Sequence, residues 1–262
     1  MARGSLKLLI IVKTYPTVSG KYDELVCTAG ICPHLGFVRL YPVPFRYLDY
    51  EKQYRKYQWI EVQAEKNPKD PRIESYRPQS ETIKVIGKPM DTANGWAERR
   101  QVVLPWLSQS VEELTAGERS VGIIRPAEIR GMQVLPVARD WSPAARAKLS
   151  QGKLLGVHRK MLRKLPYKFQ YLFRCDDNHC KGHRLMVADW ELGSLYFKVV
   201  DESGGDEQAA VAKVEDKFLR ELCGPKKDTC LFVGNTLTHP NSWLVLGVFF
   251  PPVAPQETLA FE

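Results

Sequence analysis

The stretch KFQYLFRCDDNHCKGHRLMVADWELGSLYFKVV, Lys168 to Val200, decides the fold class, because it holds in order a strand, a polar loop, a second strand and a helix. Phe169, Tyr171 and Phe173 recur every second residue from Lys168 to Cys175, the period of a half-buried strand. Leu185 to Ala188 is a short apolar run within a second strand, Arg184 to Asp189, and helical spacing takes over from Glu191 to Val200. A Gly-rich turn at Ser203-Gly204-Gly205, a helix from Glu207 to Cys223 and strands Thr229–Val233 and Trp243–Phe250 complete the run. Two strand pairs flanking two helices make a ββααββ-like half, and the class is α+β.

N-terminal to this half, the chain reads as β-rich. Leu6–Tyr15, Glu24–Ile31, Phe37–Val43, Trp59–Glu65 and Thr82–Ile86 are short apolar or alternating runs, which predict a curved antiparallel sheet or partial barrel. Tyr47–Tyr57 reads as a short surface helix and Asn67–Arg72 as an exposed turn. Helical spacing from Trp96 to Gly117 has Ser110 as an N-cap candidate, Val121–Val137 reads as an extended pair broken at Pro126, and Ser142-Pro143 has the cap and first-turn proline of a helix start. A boundary near Asp140 divides a β-rich platform for nucleic acid, 1–140, from an α+β half, 141–262.

With 262 residues, 44% of them hydrophobic, the chain can bury a core without staples, and it has no apolar run of the roughly 18 residues a spanning helix needs. A cytoplasmic protein with no membrane partner is expected, its six cysteines free thiols or metal ligands; monomer or oligomer is left open. Lys and Arg outnumber Asp and Glu by 38 to 30, a formal +8, which favours an acidic partner such as DNA over a cationic surface that only aids solubility.

That excess is concentrated. No acidic residue occurs from Trp141 to Cys175, where Arg159, Lys160, Arg163, Lys164 and Lys168 are candidate phosphate contacts. Tyr167, Phe169, Tyr171 and Phe173 offer faces for an unpaired base, although alternation along a strand would send some of them into the core. Asp189 and Glu191 close the second strand of the deciding stretch, and two carboxylates there can activate water or balance charge at a sugar C1′. The plainer reading is that Asp189 caps the next helix and Glu191 lies in its first turn. Glu24 is a further candidate acid or base, and Arg39, Tyr41 and His183 are candidate base or phosphate contacts. Cys175, Cys180 and His183 have Cys-x4-Cys-x2-His spacing, within reach of a structural zinc if His179 or a residue from elsewhere supplies a fourth ligand.

The strings Lys21-Tyr22-x-Glu24-x-x-Cys27-Thr28-Ala29-Gly30, Arg39-Leu40-Tyr41-Pro42-Val43, Glu74-Ser75-Tyr76 and Cys175–Glu191 together resemble a family of mostly uncharacterised prokaryotic proteins. Within that neighbourhood the chain is similar to antiphage DNA glycosylases that excise glucosylated hydroxymethylcytosine. The resemblance implies a hydrolase that flips its base out of the duplex and needs no cofactor. It carries over no catalytic position, so the candidate residues rest on their chemistry. Two alternatives stand beside it. One is a metal-dependent nuclease with Mg²⁺ on Asp177, Asp189 and Glu191, and the other a nucleic-acid-binding module without catalysis.

Overall fold

The computed structural model describes residues 4–18, 24–154 and 161–254, without the side chains of 151–154. The N-terminal strands are β1 (Gly4–Lys13), β2 (Val26–Cys32), β3 (Gly36–Val43), β4 (Trp59–Lys66), β5 (Ser75–Pro78) and β6 (Lys84–Ile86). They form one sheet in the order β1-β2-β3-β5-β4-β6, and β1 also pairs with β4, so five strands close into a barrel with β6 attached. Leu9 of β1 lies opposite Ile31 of β2 on one side and Trp59 of β4 on the other. All pairings are antiparallel except β3 with β5. This is the strand order of the OB-fold, a Greek-key barrel in which the β2–β3 face and the loops β1–β2 and β4–β5 commonly bind oligonucleotides or oligosaccharides.

Alternation fills the barrel. Leu8 and Ile10 of β1, Val26 of β2, Val38 and Leu40 of β3, and Ile60 and Val62 of β4 pack inside. The residues between them, Leu9, Ile11, Ala29 and Ile31, face outward, yet they are as buried as the inner set. A strand covered on both faces loses its alternating signal and reads as the continuous run Leu8–Val12.

The cover comes from the rest of the chain, which comprises α1 (Ala93–Val103), β7 (Leu107–Ser108), α2 (Val111–Ala116), β8 (Val121–Ile124), β9 (Pro126–Pro136), α3 (Pro143–Leu154), β10 (Tyr167–Cys175), β11 (His183–Met186), α4 (Trp190–Glu202), α5 (Glu207–Glu215), β12 (Cys230–Thr236) and β13 (His239–Phe249). A four-stranded sheet, β13-β12-β8-β7, lays Val121, Ile123, Phe232 and Phe249 on the barrel's outer face. A three-stranded sheet, β11-β10-β9, packs with α4 and α5 around Phe169, Tyr171, Phe173 and Tyr196. The class is α+β with a β-rich first part, and β10 to β13 keep the ββααββ order. No helix among the described residues is long and apolar enough to cross a membrane.

Several local features differ from the sequence expectation. β5 is only four residues long and ends in Pro78, so periodicity could not reveal it, although it completes the barrel. In place of a helix, Tyr47–Tyr57 holds one single-turn 3₁₀ helix, Tyr50–Lys52, follows directly on another, Phe45–Tyr47, and buries Tyr54, whose hydroxyl shares a 2.7 Å hydrogen bond with Thr28. Asn67–Arg72 is the expected turn, with Pro68, Lys69 and Pro71 exposed, but it is pinned, because Asp70 is buried against Arg72, which donates to the Asn235 carbonyl of β12 at 2.9 Å. The boundary expected near Asp140 lies inside the second part, because β8 and β9 belong to its two sheets.

One segment joins the three assemblies. Ala188, just past β11, donates to Val245 of β13 and accepts from Tyr15 just past β1, both at 2.8 Å, and Thr14 bridges Asp189. Gly193 allows the next helix to come close, since a Cβ there would collide with the Tyr15 ring. Gly→Ala on an open helix stabilises by roughly 1 kcal/mol; Gly193→Ala is expected to destabilise by about 1–3 kcal/mol through overpacking, read as a lower denaturant midpoint at unchanged slope.

Candidate functional site

The joint carries a dense polar cluster. Asp189 is the N-cap of α4, with backbone angles outside the helical range, and its Oδ1 accepts the Glu191 amide at 2.8 Å. Lys56, between the second 3₁₀ turn and β4, sends its Nζ to both Asp189 oxygens at 2.9 and 2.8 Å and to Glu191 Oε2 at 3.0 Å. The Asp189 side chain is 1% exposed and that of Lys56 8%, whereas Glu191 is 60% exposed. Burial alone would lower the pKa of Lys56, and the charges of Asp189 and Glu191 more than reverse this. Burial raises that of Asp189, offset in part by Lys56.

Glu191 opens into a cleft of about 720 Å³ lined by Lys13, Arg55, Lys56 and Arg99 and by the rings of Tyr57, Trp96 and Trp190. The Arg99 guanidinium lies 4.1 Å over Tyr57 and 4.7 Å over Trp96, and Lys13 lies 4.1 Å over Phe45 and 4.7 Å over Trp190. Tyr57 and Trp96 hold left-handed backbone, with φ of 59° and 67°. A second hollow of about 560 Å³ shares Trp190 and Ser194 as a wall and brings in Tyr15, Arg46, Arg163 and Phe197. Cations and flat rings around one open carboxylate can hold phosphates and an unstacked base beside an acid–base group.

The sequence candidates divide accordingly. Glu191 faces the cleft, whereas Asp189 is buried as cap and ion-pair partner, so the pair is not the open dyad expected from an extended strand end. Glu24 is also buried, 2.7 Å from Arg46. Arg39 is 4% exposed and donates to the Ser120 carbonyl at 2.6 Å, a bond between barrel and sheet that removes it from any open platform. Tyr41 is exposed on β3 and lines neither hollow. Of the cationic run, Arg163 lines the second hollow but pairs with Asp201 at 2.6 Å, and Lys164 donates to the Asp140 carbonyl at 3.0 Å. Lys168 sits opposite Leu135 in the β9–β10 ladder, and Arg159 and Lys160 lie outside the described residues. A segment without acids is therefore partly neutralised by acids from elsewhere. Asp177 accepts from Ser110 at 2.6 Å and from the His179 amide at 2.8 Å, at the far end of β11 from Asp189, so the acidic triad of a nuclease is not assembled.

His183 belongs to a different cluster. Its Nε2 lies 3.2 Å from Cys180 Sγ and 3.4 Å from Glu112 Oε1, and with Cys175 these residues could hold a metal ion. His179, the fourth ligand considered from spacing, is exposed and turned toward Asp177. Glu112 escaped the sequence reading because it comes from α2, 63 positions before the first cysteine.

Lys13 and Lys56 also escaped it, since nothing in a lone lysine at a strand end foretells a buried partner. Burial, reinforced by the charge of Lys56, lowers the pKa of Lys13 from 10.5 to about 8, with Glu191 and Asp189 opposing. Below about pH 8 the fold carries the full cost of a charged, desolvated Lys13. Between about pH 8 and 10.5 the unfolded chain holds the extra proton, so stability rises across that window. Lys13→Met is expected to raise Tm at pH 7 by about 2–4 °C for each kcal/mol relieved, and the gain should vanish above pH 10.5, as followed by melting curves across pH.

Two family models match the chain in tandem: the domain of unknown function DUF8758 over residues 4–105, which spans the barrel and α1, and the domain of unknown function DUF8757 over residues 107–262. No curated protein sequence matches it. Among solved structures, a murine DNA-binding protein bound to double-stranded DNA aligns over 97% of this chain and 98% of its own at 9% identity, with a TM-score of 0.32. With more than half of its length matched by the second model, the chain belongs to the DUF8757 family.

Proposed function

We propose that the chain is a DNA-acting hydrolase that removes a modified base in the cleft at the N-terminus of α4, with Glu191 as its catalytic carboxylate. The observation that carries this reading is the largely solvent-open carboxylate of Glu191, paired with Lys56, in a cleft whose lining is mainly cations and aromatic rings. A base rotated out of the duplex stacks on Trp190, while Lys13, Arg55 and Arg99 meet the flanking phosphates. The C1′–N bond breaks, its electron pair leaves with the base, and Glu191 balances the positive charge that develops at C1′. Water then adds to C1′ and gives one proton to Glu191, and the departing base takes up a proton in turn. Lys56 and Asp189 are positioning residues, which fix the start of α4 and the aim of Glu191. The similarity to antiphage glycosylases makes glucosylated hydroxymethylcytosine the first substrate to try.

Lys13 favours a second reading. An amine with a pKa near 8 is partly neutral under mildly alkaline conditions and could attack C1′ itself, displacing the base and leaving a Schiff base with the opened sugar. Borohydride separates the two, since only the Schiff base would be reduced to a stable protein–DNA adduct that Lys13→Met abolishes.

The deciding experiment incubates the protein with plain and glucosylated-hydroxymethylcytosine DNA, with and without EDTA, and follows free base and alkali-labile abasic sites. Release that survives EDTA and falls about 10²–10⁴-fold in Glu191→Gln, with DNA affinity within about threefold, is the expected result. Equal rates in the two proteins, or DNA binding without base release from either substrate, would leave only a binding module.

A further inference from the structure

We infer that Glu112, Cys175, Cys180 and His183 form a closed structural zinc site at the opposite end of β11 from the cleft. One sulfur from each cysteine, the His183 Nε2 and a carboxylate oxygen all lie within 4.8 Å of one another. Zinc bound at about 2.3 Å to sulfur and 2.0–2.1 Å to nitrogen or oxygen has tetrahedral edges of roughly 3.3–3.8 Å. Cys180 Sγ to His183 Nε2 at 3.2 Å and His183 Nε2 to Glu112 Oε1 at 3.4 Å are already near such edges.

The surroundings suit a bound cation. Two backbone amides, of Cys175 at 3.2 Å and Gly182 at 3.4 Å, donate to Cys180 Sγ and fix where that sulfur points. The loop reaches this shape through a 3.0 Å turn bond from the Cys180 amide to the Asp177 carbonyl and through Gly182 at φ 92°, where a side chain would be strained. Glu112 Oε2 is buried without a hydrogen-bond partner among the described residues, a cost that a metal at the cluster would relieve. Two thiolates, an imidazole and a carboxylate select zinc over magnesium or calcium. Four protein ligands fill the tetrahedron, which marks the site as structural, and both cysteines are 3% exposed.

The ligands come from the first turn of α2, the end of β10 and the start of β11 with its loop, so the ion would bind three elements that no disulfide joins. Loading releases the thiol protons and leaves the oxidation state of every group unchanged.

The test is metal analysis of untagged protein produced in zinc-supplemented medium, with cobalt substitution as a second readout. One zinc per chain is expected, together with visible bands of tetrahedral cobalt–thiolate in the exchanged protein. Cys180→Ser and His183→Ala should abolish both signals, whereas Cys27→Ser and Cys32→Ser, in the other Cys-x4-Cys pair, should change neither. Glu112→Ala should weaken zinc at least tenfold in a chelator competition, and full affinity in that variant would overturn the assignment of the fourth ligand. Wild-type protein with less than about a tenth of a zinc per chain and no cobalt–thiolate band would overturn the site, and that result does not depend on any variant folding.

Discussion

The structure turns on the ion pair between Lys56 and Asp189, one partner from the connection that completes the barrel and the other from the cap of α4. Taking two charges out of water is expensive, and the attraction between them offsets that only when the geometry is good and the remaining lone pairs are satisfied. Here the ammonium meets both carboxylate oxygens, the amide of Glu191 takes a further lone pair, and Glu191 Oε2 completes the ammonium's surroundings. The pair ties the two family-matched regions together where the sheets converge and fixes where α4 begins.

Because the outer face of β1 and β2 is covered by the second part of the chain, the barrel cannot offer the surface that a free-standing barrel of this order would. Arg39 shows the change most clearly, since the side chain best placed for a ligand on an open β3 is instead a tie to Ser120. The cleft has moved to the rim, where the end of β1, the Tyr54–Trp59 connection, α1 and α4 meet. Three separate parts of the chain supply its cations, and a fourth supplies its open carboxylate.

Fold class was readable because alternation and helical spacing are local properties. The aromatic period of β10, the caps Ser110 and Asp189 and the break at Pro126 all appear in the structure where the residues indicated. What remained hidden depends on pairing at a distance. β5 is defined only by its neighbours, Lys56 by a carboxylate 133 positions away, and Glu112 by a loop it meets in space. The acid-free run is less bare in space for the same reason, since Asp201 pairs with Arg163 and Asp140 with Arg146 from outside the window. Asp189 and Glu191 were singled out together, but burial separates them, and exposure is not written in spacing.

Tyr57 and Trp96, the two rings that flank Arg99, both sit in a backbone conformation that bulky side chains avoid, at a cost of order 1–3 kcal/mol each. Trp96 ends a left-handed run that starts at Asn94 and Gly95, residues that tolerate the shape, and the contacts of the two rings with each other and with Phe249 hold it in place. The wall of the cleft is thus a rigid mould set during folding, which an incoming guest meets ready-made and need not shape for itself.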